Sequence, residues 1–228
     1  MEGEDRISFL PDELIIHILS FLNMNHAVST SVLSKSWRYL WTFNPRMCFD
    51  FETFQPQLCN FASKETANTY IRVNPYIRNF ASNRNNYVAV IDHCIQQYQA
   101  KKLQTLSIRL DVSNEDALLE MKTWLDFAID KKVEDLKLYN ISELFSLSDI
   151  KCFDSLKSLC LRDVEAFDGA IETLLSKCTC LQKLDLAISI KPNWNKLYIS
   201  LPELQHLSIH FIRYHSLEIY APNLLSLK

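Results

Sequence analysis

The chain has 228 residues with 48% apolar content, enough for a real core, and at ~100–200 residues per domain the length allows one large or two small units. It holds only two glycines, Gly3 and Gly169, so neither a dinucleotide fingerprint nor a P-loop can be written in it, because both need glycines to bring backbone N–H groups up to phosphate. A net charge of −3, from 24 basic and 27 acidic residues, implies no global attraction to nucleic acid or to an acidic membrane. No apolar run reaches the ~18 residues of a membrane span, and the N-terminus is acidic where a signal peptide is basic. Seven cysteines, an odd number scattered along the chain, fit reduced thiols better than a disulfide framework, so cytosol or nucleus is the expected location.

The first element in chain order is a helix from Pro11 to about Leu22, with Pro11 at the first helical position and Asp12 and Glu13 complementing the dipole. At 100° per residue, Leu14, Ile15, Ile16, Ile18, Leu19, Phe21 and Leu22 cover an arc of about 220°, leaving only His17 and Ser20 on the remaining face; a surface helix needs an apolar stripe of ~100°. A second helix starts after Asn25 and carries Ala27, Val28 and Val32, and a third starts at Ser34 and carries Trp37, Leu40 and Trp41. Three helices in about 45 residues lie near the ~40-residue limit below which domains seldom fold without help. A partner surface would resolve both excesses.

Residues 51–86 are rich in Phe, Asn and Gln, with a loop expected at Asn83-Arg84-Asn85-Asn86, and Val88, Ile91, Ile95 and Tyr98 then mark a helix that covers the N-terminal end of the leucine-rich half. Only seven of the 33 leucines precede residue 103. Beyond it one spacing recurs: Leu103-x-x-Leu106-x-Ile108, Val133-x-x-Leu136-x-Leu138, Leu156-x-x-Leu159-x-Leu161, Leu181-x-x-Leu184-x-Leu186 and Leu204-x-x-Leu207-x-Ile209, then Leu224-x-x-Leu227. Most steps lie within the ~20–29 residue period of leucine-rich repeats. In each unit the last two apolar positions share one strand face, so parallel stacking gives a continuous core, and the stretches between return along the outside. Phe167, Ile171, Leu174 and Leu175 at helical spacing supply one such return. The repeats are degenerate, since the usual Asn is replaced by Asp111, Ile141, Val164, Ser189 and Ile212. The fifteen asparagines, which tolerate positive φ, are expected to serve the turns that glycine usually takes. The chain stops at Lys228 inside a repeat-like strand, so the expectation is an array cut off before its end or in need of a partner there.

Asp5-Arg6-Ile7-Ser8-Phe9-Leu10-Pro11-Asp12-Glu13-Leu14, with Ile18-Leu19-Ser20-Phe21-Leu22 and Ala27-Val28-x-Thr30-Ser31-Val32-Leu33-Ser34-Lys35-x-Trp37-Arg38-x-Leu40-Trp41, resembles the F-box of plant F-box/leucine-rich-repeat proteins of the FBD type. Tyr87-Val88 with Ile91, Trp124-Leu125-x-x-Ala128 and Val133-Glu134-x-Leu136-x-Leu138 resemble the segments joining box to repeats in that family. One departure is Asn23-Met24-Asn25-His26, where relatives often have Pro-Thr-Lys. The resemblance implies an α + α/β fold: a three-helix F-box over residues 5–50, a connector and N-terminal cover over 51–102, and a leucine-rich-repeat solenoid over 103–228 with a parallel sheet on its concave face. It further implies the substrate receptor of an SCF (Skp–cullin–F-box) ubiquitin ligase, with Leu10, Pro11, Leu14, Ile18, Leu19, Val32, Trp37 and Leu40 on the Skp adaptor and, through the adaptor, cullin.

Alternation puts the residues flanking the core leucines on the open face: Thr105, Ser107, Arg109; Asp135, Lys137, Tyr139; Ser158, Cys160, Arg162; Lys183, Asp185, Ala187; His206, Ser208, His210. Of these Arg109, Tyr139, Arg162, His206 and His210 are the candidate contacts to a protein target, since Arg and Tyr are enriched at binding hot spots. On a strand His206 and His210 lie about 13 Å apart, too far for one zinc, and Cys178-x-Cys180 lacks a second pair at metal-ligand spacing. No catalytic constellation and no cofactor is implied, so the chain reads as a non-catalytic binding protein without nucleic-acid or membrane partners. Two alternatives stand beside the receptor: an adaptor-binding decoy without a target, and a small-molecule co-receptor, for which the open face offers only Arg109, Lys137, Arg162 and Lys183, interrupted by Asp135 and Asp185.

Overall fold

Helix α1 (Asp12–Leu19) starts where Pro11, extended at ψ 146°, offers its carbonyl to the N–H groups of Leu14 and Ile15 at 3.0 and 3.1 Å, so Pro11 caps the helix from outside it. This is a computed structural model, and it describes residues 7, 9–54, 85–110, 116–144, 150–166, 169–190, 196–210 and 216–228. The chain divides into two units, Met1–Lys101 and Lys102–Lys228. Among the described residues no helix is long and apolar enough to cross a membrane.

In the first unit α1 is shorter than the apolar run predicts. It ends at Leu19 because Phe21 and Leu22 donate to Ile18 and Leu19, three residues back, which tightens the chain into turns. Ser20, expected on the polar face, is buried, and its hydroxyl donates to the His17 carbonyl at 2.6 Å. The second helix, α2 (Met24–Ser29), begins two residues earlier than expected, since Asn23 rather than Asn25 accepts the His26 N–H. The stretch from Trp37 to Phe43 is 3₁₀ rather than α-helical, and Ser34 Oγ accepts the Trp37 N–H. Strand β1 (Arg46–Asp50) buries Met47 and Phe49. Buried Asn44 ties these pieces together: its amide donates to Leu19 O at 3.0 Å, its side-chain oxygen accepts Arg46 N, and its carbonyl accepts the Tyr98 hydroxyl. The expected loop at residues 83–86 is overturned in part: Asn85 and Asn86 open α3 (Asn85–Gln97), while Asn83 and Arg84 lie outside the described residues. Val88 and Ile91 are buried on α3, and Tyr98 follows its end.

In the second unit strands β2 (Thr105–Arg109), β3 (Asp135–Leu144), β4 (Ser158–Ala166), β5 (Lys183–Ile190), β7 (His206–Ile209) and β9 (Ser226–Leu227) lie side by side in that order and are all parallel. Strands β6 (Lys196–Ser200) and β8 (Ser216–Tyr220) form a second parallel pair. The register follows the leucine spacing: Leu106, Leu136, Leu159, Leu184 and Leu207 stand directly opposite one another, each 1% exposed or less. One backbone arrangement repeats with them. The carbonyls of Gln104, Glu134, Lys157, Gln182 and Gln205, one residue before each strand, each accept two successive N–H groups of the next repeat at 2.8–3.1 Å. Helix α4 (Asp116–Asp130) buries Met121, Trp124, Leu125 and Ala128, and α5 (Ala170–Ser176) buries Ala170, Ile171, Leu174 and Leu175, each a single helical stripe. Phe167, expected on this second return, lies outside the described residues.

Among the described residues, positive φ is distributed differently from the asparagine expectation. Asn140 adopts it, with its amide on Leu110 O at 3.2 Å, and so does Asp163, where the register between β4 and β5 shifts. Ile141 and Val164, which stand where the repeat usually has Asn, follow these residues into the core. Lys132 takes the third. After α4 its N–H reaches Ile129 O and the next N–H, of Val133, reaches Ala128 O, the pair of bonds that closes a helix through a left-handed residue. Gly169, at φ 74° before α5, is the fourth, and a Cβ there meets nothing within 4 Å, so only the backbone conformation favours glycine. Replacing Lys132 by glycine is therefore expected to stabilise the second unit by about 0.5–1 kcal/mol, since a left-handed L-residue costs about 1–2 kcal/mol and glycine returns part of that in chain entropy. Urea midpoints check this. The same measurement on Leu159→Ala should show a loss of about 2–5 kcal/mol, because the side chain is fully enclosed.

Candidate functional site

Two surfaces carry the candidate residues, one on each unit. On the first, α1 buries only Ile15 and Leu19, and large apolar side chains on it and just past its end face solvent: Leu14 is 51% exposed and Ile18 43%, and Phe21, two residues beyond the helix, 70%. Ile7 and Phe9 are also exposed just before the helix, and Leu33 beyond α2. Monomeric proteins seldom leave such a group of large apolar side chains uncovered without a partner. The expected adaptor residues divide by burial. Pro11, Leu14 and Ile18 are exposed and Leu10 and Val32 half-buried, whereas Leu19, Trp37 and Leu40 are buried in the packing of the unit itself. Phe9, Phe21 and Leu33 were not among the contacts expected from the sequence. The signal for Phe21 was present in the wide apolar arc, which cannot say which side of a helix its own unit covers; Phe9 and Leu33 lie outside that arc.

On the second unit the residues flanking the core leucines face outward in register, Arg109 opposite Tyr139 and Tyr139 opposite Arg162. Thr105 and Cys160, expected on this open face, are buried. The Arg109 guanidinium lies over the Tyr139 ring, 4.4 Å from its centroid, and the Cys160 thiol is 3.9 Å from the Tyr139 hydroxyl. Arg162 donates side-on to Asp185, Nε to Oδ1 at 3.3 Å and Nη2 to Oδ2 at 2.6 Å. His210 brings Nε2 to 3.6 Å from Asp185 Oδ1 and shares a 2.8 Å hydrogen bond with Ser208 Oγ. His206 pairs through Nδ1 with Ser226 Oγ, so the five expected target contacts do not form one cluster: His206 stands apart from Arg109, Tyr139, Arg162 and His210. Lys137 pairs with Asp135 at 3.0 Å. Asp185 was not singled out among the candidate contacts, yet it organises Arg162 and His210; a diagonal contact across strands is invisible until the register is known.

Among the described residues no group of three or more His, Cys, Asp or Glu side chains could hold a metal ion. The buried thiols of Cys94 and Cys178 are pushed up to about 12 by desolvation and are poor nucleophiles. Burial, with a smaller contribution from Cys160, pushes the Tyr139 phenol up to about 12 as well.

These surfaces and the repeated parallel sheet define a two-part protein, a helical box ahead of a leucine-rich-repeat unit. The comparisons with known proteins agree: the F-box domain family matches residues 7–48, and the family described as At1g61320/AtMIF1, LRR domain, matches residues 141–228. The chain carries an F-box and a leucine-rich-repeat domain, and its homologues are Arabidopsis F-box/FBD/LRR-repeat proteins. It is 29% identical to FBD-associated F-box protein At4g10400 of Arabidopsis thaliana, over 97% of this chain and 54% of the relative. It is 27% identical to F-box/FBD/LRR-repeat protein At5g56420, over 90% of this chain and 49% of that one, and 30% identical to putative FBD-associated F-box protein At5g56820, over 98% and 52%, both from the same plant. The chain spans about half the length of these curated relatives.

Tyr139 offers a spectroscopic check of the sheet face. Its folded value lies above the ordinary 10, so the stability that its protonated phenol contributes is fully present below pH 10 and is lost as pH rises through about 12. Subtracting the phenolate absorbance titration of Tyr139→Phe from that of the parent chain should leave one phenol ionising near 12; a difference curve centred at 10 would contradict the half-buried, stacked placement.

Proposed function

We propose that the N-terminal box docks on the Skp adaptor of an SCF ubiquitin ligase and that the leucine-rich-repeat unit, as part of a solenoid with the open sheet face on its concave side, holds a protein target for ubiquitination. The single observation that carries the first half is the exposed row of Leu14 and Ile18 on α1 and Phe21 just past its end, beside a helix stripe that is buried, in the segment that matches the F-box. Leu10, Pro11, Leu14, Ile18 and Val32 make the contact, joined by Phe9 and Phe21, while Leu19, Trp37 and Leu40 hold the shape of the box from inside. The chain recognises rather than catalyses: it links target to adaptor, the adaptor links it to cullin, and ubiquitin transfer is carried out elsewhere in the complex. Such an assembly works in the cytosol or nucleus, where thiols like Cys94 and Cys178 stay reduced.

The test compares adaptor capture by the full chain with that by Leu14→Ala/Ile18→Ala. Hot spots cost about 2 kcal/mol or more each on truncation, so the double variant, losing about 4 kcal/mol, should bind the adaptor roughly 700-fold more weakly while its urea midpoint stays near that of the parent. Proteins captured through the repeat unit should remain bound to this variant and turn over more slowly in cells expressing it. Undiminished adaptor capture by the folded variant would overturn the proposal.

A further inference from the structure

We propose that Arg109, Tyr139 and Arg162, one register row across β2, β3 and β4, anchor an oxyanion-bearing side chain, a carboxylate or a phosphorylated hydroxyl, in an acidic segment of the protein target. This rests on the reading of the repeat unit as the half that holds the target. The three residues stand on adjacent strands about 4.8 Å apart, so the two guanidinium-bearing positions flank the tyrosine at about 10 Å from each other.

Both arginines are held before anything binds. Arg109 is stacked on the Tyr139 ring, and Arg162 is clamped side-on by Asp185. Little side-chain freedom is left to lose on binding, and a planar fork so fixed matches the geometry of carboxylate or phosphate. A guanidinium has five N–H donors. Asp185 takes two of those of Arg162, and the others have no acceptor among the described residues, while the side chain remains 45% exposed. The Tyr139 phenol keeps its proton through the physiological range and adds a hydroxyl donor between the two forks.

Charge complementarity selects the sign of the partner. The in-register positions of β2 to β5 hold Arg109, Lys137, Arg162 and Lys183 against Asp135 and Asp185, in a chain whose net charge is −3. The two carboxylates interrupt the basic face as their place in the sequence suggests, each against a cation, Asp135 at Lys137 and Asp185 at Arg162, but four basic side chains outnumber two acidic ones there. The face that emerges is locally cationic and rich in donors, the complement of an acidic segment.

The experiment measures fluorescence anisotropy of the full chain with four labelled degenerate peptide pools that differ only in a fixed central residue: glutamate, phosphoserine, serine or lysine. At least one anionic pool should bind tenfold or more tighter than the serine pool, with lysine the weakest, and the leading pool decides between carboxylate and phosphate. In Arg162→Gln the anionic preference should fall to about twofold or less, and Arg162→Lys should fail to restore it, since an ammonium keeps the charge and loses the fork. Arg109→Gln, which leaves the Asp185 pair in place, should weaken the same preference if Arg162→Gln proves poorly folded by its urea midpoint. Equal binding of the serine and anionic pools, no binding of any pool, or an anionic preference unchanged in a folded arginine variant overturns the inference. Adaptor capture by the same parent preparation is read separately: its failure counts against the receptor reading, and its success beside an absent anionic preference counts against this inference alone.

Discussion

Five backbone carbonyls set the geometry on which the repeat unit depends. Gln104, Glu134, Lys157, Gln182 and Gln205 each accept two N–H groups from the next repeat, so each strand begins in the same register as its predecessor. A slip of one residue would turn every core leucine to solvent, because strand side chains alternate with period two. With the register pinned, Leu106, Leu136, Leu159, Leu184 and Leu207 form one buried line, and removing each such side chain from water contributes about 1.5–3 kcal/mol. The side chains of the outward face inherit that order. Arg109, Tyr139 and Arg162 are neighbours only because the leucines beneath them are.

The box reaches order by a different route. Its elements are short and partly 3₁₀, and a few polar contacts hold what its small core cannot. Besides donating its own N–H to Trp41 O, Asn44 makes hydrogen bonds from a buried position that reach Leu19, Arg46 and Tyr98, and so joins the end of α1, the start of β1 and the residue after α3. Unmade, such bonds would leave buried polar groups at a cost of about 1–3 kcal/mol each. The stripe of α1 that packs inward is consequently narrow, Ile15 and Leu19, and the rest of its apolar surface is left for a partner.

The repeats were legible because their signal is periodic and each leucine position is set by the same two local rules, alternation along a strand and parallel stacking. The helical returns were legible for a similar reason, as in Ile171, Leu174 and Leu175. Less legible were the features that depend on a single hydrogen bond. Asn23 and Asn25 are equally good caps by composition, and only the position of the His26 N–H chooses between them. Ser20 looked polar and exposed, but a short bond to the His17 carbonyl satisfies its hydroxyl and allows it to be buried. Lys132 gives no sign in the sequence of a left-handed conformation; the closure of α4 onto the start of the next repeat imposes it.

The amino-acid sequence by itself determined the division into a helical box and a leucine-rich unit, the order of the strands and the identity of the core, since hydrophobic periodicity and composition are local properties that survive without coordinates. It also determined that the chain has no glycine-rich phosphate cradle. The tertiary structure alone decided which half of α1's wide apolar arc stays exposed, that Leu19, Trp37 and Leu40 serve the interior, and that Asp185 reaches across strands to clamp Arg162 beside Tyr139. Those outcomes depend on which elements meet and in what register. Burial and diagonal contact are relations between distant segments, and no window along the chain contains both partners.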